Sequence, residues 1–380
     1  MQTIPLADLP VVGALELEST PDGLVVHRLP AWARTQTFEP MFALVERMPA
    51  GVRLSLHTDA TELELDVDLQ IVALAERPPI PAVFDLVVNG EVKESVSTVV
   101  GTHLSLDLSG QLVVTPGPTE TVRFENLPGD AAAVVEVWLP HAATVSIRAA
   151  RVGEGASVSA AAPTGPRWVH YGSSISHCLE ALAPTQTWPN AVALKTGWNI
   201  QNLGFGGQCM LDQFAARTIR DLPADAITMK VGINIVNGDT FRERTFVPAL
   251  HGFLDTVREG HPDTPIVLVT PILCPTAETA PGPTVLQADK TFSTVPRSTE
   301  LSTGALSLTR IRELVGLVVA VRNDPNLHLV DGLGLFGEGD VPDLYDGLHP
   351  NAEGYLRMAD RFFAQVCAPG QVLGALSGTR

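Results

Sequence analysis

The sequence predicts two domains of different class: a jelly-roll-like antiparallel β-sandwich over residues 1–152 and an α/β domain over residues 167–380, joined by a Gly/Ala/Ser/Pro-rich linker at 153–166. Two observations carry this. Apolar residues recur with period two over residues 15–151, and after Arg167 short apolar runs alternate with helical patterns. Length agrees, since 380 residues exceeds what one hydrophobic core usually organises.

In Thr61-Glu62-Leu63-Glu64-Leu65-Asp66-Val67-Asp68-Leu69 every second residue is apolar and most of the alternate ones are acidic, the pattern of a half-buried strand. The same alternation returns at Val52-Leu54-Leu56, Leu104-Leu106-Leu108 and Val145-Ile147. Asn89-Gly90, between an apolar run and Glu91-Val92, predicts a tight hairpin turn.

In the second domain, strands are expected at 168–171, 199–203, 226–231, 266–270 and 328–330. Helical spacing marks 188–196, closed by Gly197, then Phe246-Leu250-Phe253-Leu254-Val257, closed by Gly260, then 308–321. A last helix after His349 carries Leu356, Ala359, Phe363 and Val366 on one stripe. Such alternation predicts a parallel sheet with helices on both faces and a ligand site beyond the carboxyl ends of its strands. Residues 275–307 are rich in Pro, Thr and Ser without periodicity, the mark of a functional or disordered loop over the same rim.

The formal charge of −17, with no cluster of Lys and Arg, argues against a nucleic-acid partner. The first twenty residues hold no Lys or Arg and no unbroken apolar run, so neither a secretory signal nor a membrane span is expected, and the expected compartment is cytoplasmic. Cys178, Cys209, Cys274 and Cys367 lack metal-binding spacing and are read as reduced thiols. Cys178, Cys209 and His177 are too few to make a metal site the expectation.

Chemistry concentrates in motifs at strand ends. Tyr171-Gly172-Ser173-Ser174-Ile175-Ser176 offers a serine, Asn202-Leu203-Gly204-Phe205-Gly206-Gly207-Gln208 a glycine turn, and Val231-Gly232-Ile233-Asn234 an amide able to donate to an oxyanion. Asp346-Gly347-Leu348-His349-Pro350 places a carboxylate three residues before an imidazole. Each alone is an ordinary turn, cap or helix lead-in. Jointly they supply the parts of an acyl-transfer site in the chain order Ser, Asp, His. No G-x-S-x-G surrounds Ser174, which removes the nucleophile-elbow hydrolases, and no phosphate-loop motif accompanies the glycines.

The order of these motifs resembles the SGNH (GDSL-type) hydrolases, serine esterases on a flavodoxin-like α/β/α sandwich, from Arg167 to about Ala368. The resemblance implies Ser174 as nucleophile, the Ser174 and Gly207 N–H groups and the Asn234 amide as the oxyanion hole, and Asp346 and His349 as the rest of the triad, with no cofactor or metal. The family's usual Gly-Asp-Ser reads Gly172-Ser173-Ser174 here, and the Asp that often follows the oxyanion Asn is Ile235. An N-terminal β-sandwich before such a domain is similar to two-domain carbohydrate esterases.

His177, Glu180 and Trp188 follow the serine turn, and His177 and Trp188 are the substrate-binding candidates, with packing as the competing role. The expected activity is hydrolysis of a carboxylic ester with a small or medium acyl group. The alternatives are an acyltransferase on the same residues and a non-catalytic carbohydrate-binding protein. The expected partner is a small-molecule ester, and a homo-oligomer is compatible with the sequence.

Overall fold

A computed structural model describes residues 1–74, 77–106 and 112–378, which separate into two compact units. One comprises Met1–Gly165 with Leu182–Gln186, the other Pro166–Ala181 with Thr187–Arg380.

The first unit is two sheets sharing one apolar core. Along the strand Leu63–Leu74, the alternate residues Leu63, Leu65, Val67, Leu69 and Ile71 are at most 1% exposed. The acidic residues between them meet arginines of the neighbouring strand Ala143–Val152: Arg151 reaches Asp66 at 2.6 Å and Glu64 at 3.1 Å, and Arg148 reaches Asp68 at 2.6 Å. The Asn89-Gly90 turn joins Ala82–Val88 to Glu91–Thr98, and both turn residues have positive φ (52° and 82°), as a two-residue hairpin of this hand requires. One pairing departs from the antiparallel pattern, since Thr102–Leu106 runs parallel to Leu63–Leu74. Leu108 of the alternating motif lies outside the described residues. Within 153–166, Val158–Ala160 pairs with Arg53–Thr58 and so extends the smaller sheet. Asp85, fully buried in this unit, accepts from the Thr185 N–H at 3.1 Å and hydroxyl at 2.6 Å.

The second unit is built on a five-stranded parallel sheet: β1 (Arg167–Gly172), β2 (Asn199–Gly204), β3 (Ala226–Lys230), β4 (Ile266–Val269) and β5 (Leu327–Val330), in spatial order β2-β1-β3-β4-β5. This is the flavodoxin-like arrangement. The inner strands β3 and β4 are fully buried, as expected where helices cover both faces, while β2 is mixed in sequence, with Asn199, Gln201 and Asn202. The helices are α1 (Ser174–His177), α2 (Trp188–Thr196), α3 (Gln213–Asp221), α4 (Ile233–Asn237), α5 (Glu243–Gly260), α6 (Leu308–Arg322) and α7 (Ala352–Phe362). Gly197 ends α2 at φ 72°, Ser307 caps α6 through the Arg310 N–H, and Asn351 caps α7 through the Gly354 N–H.

Helix α3 is absent from the sequence expectation although it is amphipathic: it is only nine residues long and polar overall, so its buried Phe214, Ala215, Ala216, Thr218 and Ile219 repeat over too few turns to stand out. The segment 275–307 carries more structure than its composition suggests. Thr284–Leu286 and Phe292–Thr294 pair as an antiparallel hairpin, tightened by Asp289 accepting from the Thr291 N–H and hydroxyl. The segment is also tied down from outside the hairpin: Glu278 receives two guanidinium N–H groups of Arg312, at 2.6 and 2.8 Å, and Arg297 pairs with Asp239.

Candidate active site

The order of the parallel sheet reverses around β1 and β3, and the two strands deliver Ser174 and Asn234 respectively just past their carboxyl ends. A crevice at such a switch point is where doubly wound sheets place ligands. Backbone must crowd closely to start α1 there. A Cβ on Gly172 would lie 2.2 Å from Ser176 Oγ, so only glycine lets the strand turn into this short helix.

The neighbouring serines have different surroundings. Ser173 is 0% exposed, and its hydroxyl accepts from the Ile175 N–H at 3.3 Å as the cap of α1. Ser174 is partly exposed, and its hydroxyl lies 2.9 Å from His349 Nε2. On the other side of the ring, His349 Nδ1 is 2.8 Å from Asp346 Oδ2. The second oxygen of Asp346 accepts from the Leu348 N–H at 3.0 Å and the His349 N–H at 2.8 Å. Burial acts to raise the Asp346 carboxyl, but the hydrogen bonds and charge of His349 and the two amides outweigh it and hold the group below the ordinary carboxylate range. An ionised carboxylate only accepts, so Nδ1 carries the hydrogen and Nε2 presents its lone pair to Ser174.

The oxyanion-donor candidates sit on separate elements. The Ser174 N–H precedes the first intrahelical bond of α1 and has no backbone acceptor among the described residues. Gly207 is exposed in the turn after β2, at φ 72°. Asn234, on the first turn of α4 and 5% exposed, accepts the Cys209 N–H on Oδ1 at 3.0 Å, which fixes the amide so that Nδ2 is its donating end.

His177 and Trp188, the substrate-binding candidates of the sequence, are both 0% exposed, so neither presents a surface to a ligand in this structure. Trp188 donates to the Ile175 carbonyl at 2.7 Å and its ring packs edge-on to His170 at 4.8 Å, within a cluster with Trp168 and Phe362. His170 in turn links Ser176 Oγ (2.8 Å) and Thr228 Oγ1 (2.6 Å). Burial, with Lys230 nearby, pushes it down to about 3, so it stays neutral beneath α1.

Sequence reasoning gave Phe292 and Tyr355 no role, and Glu180 no more than a place near the pocket. The Phe292 ring meets the His349 imidazole edge-on at 5.7 Å, and its N–H donates to the Asp346 carbonyl at 2.8 Å. Glu180 Oε1 lies 3.6 Å from His349 Nδ1, and Glu180 Oε2 accepts from the Tyr355 hydroxyl at 2.8 Å. Glu180, Asp346 and His349 are the one group of potential metal-ligating side chains among the described residues, with ligand atoms within 4.8 Å of one another. The four cysteines are buried free thiols. No described helix is long and apolar enough to cross a membrane.

Residues 170–357 match the sequence profile of the GDSL-like lipase/acylhydrolase family, and residues 9–148 match that of the SsfX3 N-terminal domain. A search of curated protein sequences found no match. Among solved structures, the chain is similar to the salicylyl-acyltransferase SsfX3 from a tetracycline biosynthetic pathway, with 26% identity, 96% of each chain covered and a TM-score of 0.77. It is also similar to a putative GDSL-like lipase from Bacteroides ovatus, with 20% identity, 96% of each chain covered and a TM-score of 0.67. A family two carbohydrate esterase from Clostridium thermocellum shares the fold at 14% identity and a TM-score of 0.56, over 93% of this chain and 97% of that one.

Proposed function

Because residues 170–357 belong to the GDSL-like lipase/acylhydrolase family, we propose that the chain is a serine esterase that passes an acyl group through Ser174. The observation that carries this reading is the unbroken hydrogen-bonded line from Ser174 Oγ through His349 to Asp346, at 2.9 and 2.8 Å. His349 Nε2 takes the hydroxyl proton as Ser174 Oγ bonds to the ester carbonyl carbon. Asp346 holds the ring tautomer and stabilises the imidazolium. The Ser174 and Gly207 N–H groups and Asn234 Nδ2 receive the oxyanion. The bond to the alcohol oxygen then breaks, and that oxygen leaves with the proton from His349. Water attacks the acyl-enzyme by the same steps in reverse, without a cofactor.

A second reading, transfer of the acyl group to an alcohol in place of water, is favoured by a specific likeness. SsfX3, named a salicylyl-acyltransferase, is similar over both domains, and the N-terminal profile is its own. The two readings share every step up to the acyl-enzyme. A panel of p-nitrophenyl esters from acetate to octanoate, run beside acetylated sugars and with and without alcohol acceptors, separates them. Release of free acid at the rate of p-nitrophenol supports the esterase, acylated acceptor as the main product supports transfer, and no turnover of any ester refutes both.

A further inference from the structure

Two carboxylates, not one, face the same nitrogen of His349. Asp346 Oδ2 is at 2.8 Å from Nδ1, a hydrogen bond, and Glu180 Oε1 is at 3.6 Å, too long for one but within ion-pair range. Both side chains are largely shielded, with 3% of Asp346 and 15% of Glu180 exposed, against 11% for His349. Neither Lys nor Arg pairs with Glu180 among the described residues. Its other oxygen is held by the Tyr355 hydroxyl from the second turn of α7, and Tyr355 is itself fully buried. Cys178 ends α1 in a left-handed conformation (φ 61°), which turns the chain just ahead of Glu180.

We infer that Glu180 is a positioning residue for His349, a second anion that stabilises the imidazolium formed when Ser174 gives up its proton. The inference rests on the triad reading above. In that step the Ser174 proton moves to Nε2, the Nδ1 hydrogen stays in place, and the ring gains one positive charge. No proton passes to Glu180, whose effect is Coulombic. A fixed anion at this distance counts for more in a shielded site than in water. The titratable groups facing His349 are Ser174, Asp346 and Glu180; those facing Glu180 are His349, Asp346, Tyr355 and Cys178. Burial, the strongest influence, raises the Glu180 carboxyl above the usual carboxylate range, and Asp346 adds to this; His349 and Tyr355 offset the rise only in part.

The test is the pH dependence of fluorophosphonate labelling at Ser174, read by peptide mass spectrometry in the full chain and in Glu180→Gln, whose amide oxygen still accepts from Tyr355. Removing the anion disfavours the charged ring, so the acid limb of the profile should move to lower pH by about one unit, with a labelling plateau about tenfold lower. A lower plateau with an unmoved limb would reduce Glu180 to a structural partner of Tyr355 and overturn the inference. Absence of label on Ser174 in the wild-type chain would overturn the triad reading, and this inference with it. Should Glu180→Gln lose the wild-type circular dichroism spectrum, Glu180→Asp takes its place. Its charge is withdrawn by one methylene, so the limb must move the same way by less, and an unmoved limb again overturns the inference.

Discussion

Phe292 stands edge-on to His349, ring centroids 5.7 Å apart and planes at 79°, while its backbone N–H holds the Asp346 carbonyl. The hairpin of segment 275–307 therefore braces both the imidazole and the loop that carries it. Such an aromatic contact contributes about 0.5–1.5 kcal/mol beyond burial. Phe292→Ala should lower kcat on p-nitrophenyl acetate by roughly threefold to tenfold through a looser His349, with the circular dichroism spectrum unchanged. An unchanged kcat would mean the ring is only a cover.

The serine pair separates cleanly. Ser174→Ala should abolish ester turnover and fluorophosphonate labelling. Ser173→Ala removes a cap rather than a nucleophile and should cost about 1 kcal/mol of stability while leaving a measurable rate. Label recovered on Ser173 in the wild-type chain would reverse the assignment.

Asn234→Ala should lower kcat by roughly two to three orders of magnitude with little change in KM, because an oxyanion donor acts mainly in the transition state. The Cys209 N–H also loses its acceptor, so a thermal melt must accompany the kinetics. A loss of less than about fivefold, well short of the range for such donors, would leave Asn234 as a brace for the 209 loop.

Acid should loosen the anchorage of α7. Burial acts to raise Asp340, but Arg361, the Gly337 N–H and Arg357 outweigh it and hold the carboxyl at about 2. Since this folded value lies below the unfolded one of about 3.9, Asp340 contributes stability above pH ~4, and that contribution is lost as pH falls toward 2. After allowance for solvent screening, Asp340→Asn should cost about 1 kcal/mol at pH 7, and the gap to wild type should close with acid. Urea melts at pH 7, 4 and 3 measure it, and a gap that widens with acid would contradict the assigned pairing.

The hairpin segment offers a separate test. If it borders the substrate, replacing the Thr284–Thr294 hairpin with a Gly/Ser bridge should raise KM for a large natural ester far more than for p-nitrophenyl acetate, because remote contacts exist only with the larger molecule. Equal losses on both would assign the hairpin to support of His349 alone.

The parallel sheet was legible because its central strands carry apolar runs and two of them lead straight into motifs of distinct chemistry, Gly172-Ser173-Ser174 after β1 and Gly232 to Asn234 after β3; Asp346 to His349 instead lies on a loop sixteen residues beyond the end of β5. The line from Ser174 to Asp346 joins residues that the joint order of the motifs and the family resemblance single out, since each motif alone reads as an ordinary turn or cap. Glu180 and Phe292 were not legible in their places at the imidazole, since each arrives by tertiary convergence; Tyr355 lies 175 positions from the carboxylate it holds. For His177 and Trp188 the choice between pocket and packing was not legible for a related reason. Nearness in sequence to a nucleophile turn says nothing of side-chain direction, and the single-turn α1 sends His177 inward while the first residue of α2 sends Trp188 onto the sheet.

The hydroxyl of Ser174 and the ring of His349 are also 175 positions apart in the chain. A contact of such long range is expected to form after β1 through β5 have found their order, because closing so large a loop is entropically unfavourable until the intervening strands and helices have made their own contacts. Closure of the Ser174–His349 contact is therefore expected late in refolding. Helical signal in the far ultraviolet should recover before labelling at Ser174 does, which makes the reactive serine a reporter of completed topology rather than of collapse.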